Sequence, residues 1–121
     1  MATIDRNEAP SRDEVEVFLK AVDFSLPVGF LDFFKETNGA DISNDEGYFL
    51  LWPLTDMFQL NQDYNVAEYA PEFFVFGSDG GDTAYAIEKI SGSIYEMPFI
   101  GMSNEEAIFK SKTFTDFIES M

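Results

Sequence analysis

Asp79 and Asp82 stand three residues apart in Gly77-Ser78-Asp79-Gly80-Gly81-Asp82, a glycine-rich stretch between the apolar run 73–76 and the β-prone run 83–88. Two carboxylates at this spacing could serve as an oxygen-only cation site, as an acid–base pair, or as part of a phosphate cradle. A calcium loop takes roughly six to eight oxygens, whereas D-G-G-D supplies two carboxylates and lacks the D-x-D-x-D-G order. A phosphate cradle fits worse. The stretch is neither G-x-x-x-x-G-K-[ST] nor G-x-G-x-x-G before a helix, and two negative charges repel an anion. Acid–base work needs a carboxyl whose pKa is raised by burial, and with 23 Asp and Glu in the chain no single pair stands out.

The residues that are missing restrict the chemistry further. The chain has no His and no Cys, so Ser-His-Asp and Cys-His arrangements and thiolate or imidazole zinc sites are excluded. No catalytic residue, metal ligand or cofactor is assigned, and a carboxylate- or cation-dependent hydrolase stays open as an alternative. A turn explains the stretch without any ligand, because glycine supplies the positive φ that tight β-hairpins require.

Charge points to a partner. Of 121 residues, 23 are acidic and seven basic, a formal net charge of −16. Eleven of the acids lie between Lys35 and Lys89, a segment with no Lys or Arg, while the rest of the chain mixes both signs. Such a field repels nucleic acid and anionic lipid and suits a basic protein. Asp45, Glu46, Asp79, Asp82 and Glu88, all from this segment, are the expected partner-binding residues. The polar, acidic start MATIDRNEAP has no signal-peptide character, and no apolar run reaches the roughly 20 residues that span a bilayer. The absence of Cys suits a reducing compartment. A cytoplasmic protein of unknown oligomeric state is the expectation.

These groups need a scaffold. A chain of this length builds one core, and fourteen Phe supply it. Residues 1–10 have no apolar period and read as a loose arm, with the domain occupying 11–121. Ser11 and Glu14 form a capping box ahead of Val15, Phe18, Leu19 and Val22, an amphipathic helix. Leu26-Pro27 opens a second helix carrying Phe30, Phe33 and Phe34 and closing at Asn38-Gly39. Residues 40–47 read as an acidic loop, 48–52 as a strand ended by Pro53, 55–60 as a short helix, and 61–72 as loop or a single turn. Trp52 beside Pro53 reads as core or hinge packing. The runs 73–76 and 83–88 form a hairpin, Ser93–Met97 adds a strand, and 107–109 are helix or strand. Thr113 and Asp116 open a last helix with Phe114, Phe117, Ile118 and Met121 on one side. The expected fold class is α+β, an antiparallel meander of about four strands or more flanked by N-terminal and C-terminal helices.

The order of these signals resembles the SUKH superfamily, also called the Smi/Knr family. The resemblance rests on Leu26-Pro27 with Phe30, Phe33, Phe34 and Asn38-Gly39, then Trp52-Pro53-Leu54, then Phe76 to Asp82 leading into Tyr85-Ala86-Ile87. Gly92-Ser93-Ile94-Tyr95 and finally Phe114 and Phe117 complete it. Many relatives carry Asp where this chain has Glu88, which keeps the charge. The resemblance implies a single α+β domain and, for bacterial members, an immunity protein that neutralises a toxin, often a nuclease. Fungal relatives imply the alternative, a regulatory scaffold in cell-wall control. No catalytic residue comes with the family. An acidic domain of this kind would cover the basic cleft that such a toxin uses for phosphates.

Overall fold

The computed structural model describes residues 3–44 and 47–120. Among them, seven strands form one antiparallel sheet in chain order: β1 (Thr3–Arg6), β2 (Ala40–Asn44), β3 (Gly47–Leu51), β4 (Phe73–Ser78), β5 (Thr83–Glu88), β6 (Ile94–Pro98) and β7 (Ile108–Ser111). The helices are α1 (Arg12–Ala21), α2 (Phe30–Glu36), α3 (Met57–Asp63), α4 (Val66–Tyr69) and α5 (Phe114–Glu119). The α+β meander expected from the sequence is present, and it is broader than four strands.

Helix ends form where the sequence signals them. Ser11 Oγ accepts from the Glu14 amide at 3.1 Å, and the Glu14 carboxylate accepts from the Ser11 amide at 2.8 Å, which closes the capping box of α1. Thr113 Oγ1 accepts from the Asp116 amide at 3.0 Å at the start of α5. α2 begins later than its Leu26-Pro27 signal suggests. Pro27 makes a turn instead, its carbonyl accepting from the Phe30 amide at 3.2 Å, and the helix starts at Phe30.

Three other expectations change, and one left open between helix and strand is resolved as strand. Residues 3–6, read as part of a loose arm, form edge strand β1, with Ile4 opposite Ile42 and Asp5 opposite Asp41. An edge strand is held by main-chain pairing and needs no apolar period of its own. The supposed acidic loop at 40–47 contains β2, where buried Ala40 and Ile42 alternate with exposed Asp41 and Ser43. The stretch after Pro53 is more helical than expected, running through a 3₁₀ turn at Leu54–Asp56 into α3 and then α4. Ser103 caps only a 3₁₀ turn, and the ambiguous segment after it is strand β7.

β4 is buried at every residue. Successive strand residues point to opposite faces, so β4 is covered on both. Phe74 meets Phe18, Phe24 and Phe58, while Phe76 meets Phe30, Phe114 and Phe117 at ring separations of 5.4–6.2 Å. Phe73 meets Tyr95 at 5.2 Å. Phe30, Phe34, Phe76 and Phe114 are fully buried, and each contributes roughly 1.5–3 kcal/mol by leaving water. These rings fix α1, α2 and α5 against the sheet.

Candidate functional site

The turn between β4 and β5 holds the two aspartates first singled out. Asp79 Oδ1 accepts from the Gly81 amide at 2.8 Å and the Thr83 amide at 3.1 Å, and Ser78 Oγ accepts from the Gly80 amide at 3.1 Å. Gly80 has φ +82°, which a side chain would strain. Asp79 therefore organises the hairpin and has its inward oxygen committed. No group of three or more acids that could hold a metal ion occurs among the described residues.

Asp82 stands differently. Its carbonyl accepts from the Phe99 amide at 2.8 Å, while its exposed carboxylate has no hydrogen bond or ion pair among the described residues. That bond brings the 99–101 turn alongside the hairpin. Phe99 lies 4.6 Å from Tyr64, and both rings lie within 6.3 Å of Trp52 in a stack. Trp52 is buried, Tyr64 is 45% exposed, and Ile100 is 88% exposed. An aromatic ledge with an apolar tip thus adjoins Asp82, the residue that carries the unpaired carboxylate. Tyr64, Phe99 and Ile100 were not picked out from the sequence. The apolar run Pro98-Phe99-Ile100 ahead of Gly101 was the available signal, and its juxtaposition with Tyr64 depends on the fold.

Glu88 is not part of this cluster. It ends β5 at the opposite side of the sheet, about 20 Å from Asp82 at the usual strand rise. Its carboxylate accepts from Ser91 Oγ at 2.6 Å within the next turn. Asp45 and Glu46 lie outside the described residues. Their neighbours Asn44 and Gly47 pair across β2 and β3, and the Tyr48 ring lies against Gly80, so β3 starts at the Asp79 end of the sheet. Tyr48 has its phenol pKa raised by partial desolvation, then by its hydrogen bond to Asp41 and by the charges of Asp41 and Asp5.

The few bases do little to cancel these charges. Lys110 bonds Glu96 at 3.0 Å, the ion pair found among the described residues. Arg6 lies 5.6 Å over the Phe33 ring and Lys89 lies 5.7 Å over that of Phe24. One cleft, of about 470 Å³ by Phe58, Asn61, Val66 and Phe73, has Glu68 as its one carboxylate, and another, of about 440 Å³ by Val17, Leu54 and Phe58, has Asp13 and Glu14. In β5, Tyr85 is desolvated and lies near Glu96 and Asp79, which pushes its hydroxyl up to about 12.

An antiparallel sheet packed by helices into one small domain defines the class, an α+β protein. More narrowly, the chain matches the SMI1 / KNR4 family (SUKH-1) model over residues 9–120 and belongs to that family. Comparison with curated proteins finds no match. No helix among the described residues is long and apolar enough to cross a membrane.

Proposed function

We propose that this chain is a non-catalytic protein-binding module, an immunity protein that works in the cytoplasm by covering the basic surface of a cognate toxin, a nuclease being the class its charge fits best. The observation that carries the reading is the unpaired Asp82 carboxylate beside Tyr64, Phe99 and Ile100. Interfaces of this type draw their encounter rate from complementary charge and their lifetime from a few apolar anchors. Asp82, with Asp45 and Glu46, supplies the first. Ile100 and the Tyr64–Phe99 ledge supply the second. Asp79 shapes the turn that presents them, and Glu88 lies outside this surface.

The test is binding kinetics with the product of a neighbouring toxin gene. Asp82→Lys is expected to slow association by about tenfold at low salt, with the gap closing as salt rises. Ile100→Asp is expected to speed dissociation by about tenfold or more. A partner that binds both variants like the native protein overturns the surface, and association indifferent to salt overturns the electrostatic mechanism. Family membership also supports a regulatory scaffold of the Smi/Knr type. A lone gene with no toxin beside it would favour that reading.

A further inference from the structure

The two edges of the sheet are built differently. β1 ends one side with Asp5 and Arg6, charged residues that discourage pairing with another strand. β7 ends the other side with Ile108 62% exposed and Phe109 51% exposed, and no strand among the described residues pairs with its outer main chain. Adjacent residues point to opposite faces, so this edge is apolar above and below. β7 is bulged at Lys110 against β6, and its outer main chain stays open to another strand.

Charge identifies the occupant. Glu105 and Glu106 precede β7, and Lys110 and Lys112 sit within and just after it. Lys110 is engaged by Glu96, whereas exposed Glu105, Glu106 and Lys112 have no side-chain bond among the described residues. Acid at one end and base at the other is a self-complementary order for antiparallel pairing. We propose that β7 pairs with β7 of a second copy of this chain about a two-fold axis, joining two sheets into one. Antiparallel pairing about this axis sets the Glu105–Glu106 end of one β7 beside the Lys112 end of the other, and symmetry repeats the contact. The strand is short and each copy carries −16, so the dimer is weak, with Kd on the order of 10–100 µM. This inference is independent of the toxin surface.

Sedimentation equilibrium from about 10 µM to about 1 mM at physiological salt tests it. The expected result is a mass rising from 13.7 kDa toward twice that value. Ile108→Lys is expected to weaken association by at least about tenfold while leaving the far-UV circular dichroism unchanged. Glu105→Lys separates local pairing from net repulsion. It lowers the net negative charge yet is expected to weaken the dimer about fivefold, and adding Lys112→Glu is expected to restore it at the original net charge of −16. A mass fixed at 13.7 kDa up to about 1 mM overturns the proposal and leaves the edge to a foreign strand. Dimerisation unaffected by Ile108→Lys, or strengthened by Glu105→Lys, overturns it as well.

Discussion

β4 meets its two neighbouring strands in contrasting ways. Along β5 it is paired from Phe73 to Ser78, with one bulge between Val75 and Gly77, and the turn is latched by Asp79 and Ser78. Toward β3 it has two residue pairs, Leu50 with Ser78 and Leu51 with Gly77, before Pro53 leads the chain away. The rest of that flank is closed by other means. The Trp52 amide donates to the Phe76 carbonyl at 2.9 Å, and Asn61 of α3 stands in for a strand. Its Oδ1 accepts from the Val75 amide at 2.9 Å, and its Nδ2 donates to the Val75 carbonyl at 2.8 Å. The contrast teaches that one side of β4 is held by local, repeated pairing and the other by a few irreplaceable groups.

The hardest blow to the β3 side should be Gly77→Val. A carbon added at Gly77 would lie 2.6 Å from the Leu50 carbonyl oxygen, a main-chain group that cannot swing aside. A loss of about 3 kcal/mol in urea unfolding is expected, and a change below about 1 kcal/mol would show that the seam yields. Next comes Asn61→Ala, which leaves both main-chain groups of buried Val75 without their partner. It should cost about 2 kcal/mol, with Asn61→Asp recovering only the acceptor half. On the β5 side, Asp79→Ala should cost about 1 kcal/mol and Asp79→Asn clearly less, because the amide keeps an acceptor for Gly81 and Thr83. Equal losses for Asp79→Ala and Asn61→Ala would erase the distinction between the two flanks.

The mildest probe is alkaline pH. Tyr85 ionises near 10.0 when unfolded and at about 12 in the fold, so the folded state holds its proton longer. The resulting stability is complete below pH 10 and is lost as pH rises through about 12. Thermal midpoints should fall across that window in the native chain, and Tyr85→Phe should flatten the part due to this group. An identical decline in both chains would remove Tyr85 from the account.

Local signals were legible in the sequence because their physics is local. The Ser11–Glu14 box, the Thr113 cap and the Gly80 turn each depend on residues within a few positions. β2 escaped notice because only Ala40 and Ile42 alternate inward amid acids. β1 depends on a partner more than thirty residues away. At the candidate site, the hairpin carrying Asp79 and Asp82 could be read directly, whereas Tyr64 and Phe99 meet only through the fold. Glu88 shared a charge-rich segment with Asp82 but not a location, because an extended strand carries its two ends apart. Asn61 looked like a loop residue, and its role follows from the departure of β3.

The order β1 to β7 across the sheet repeats the order of synthesis. A chain lengthening from its amino end would find each strand's docking edge already exposed when that strand emerges, and none has to be threaded between two earlier ones. Until β4 arrives, β3 is the growing edge, and the two-pair seam is where the incomplete sheet has little main-chain pairing to hold its next strand.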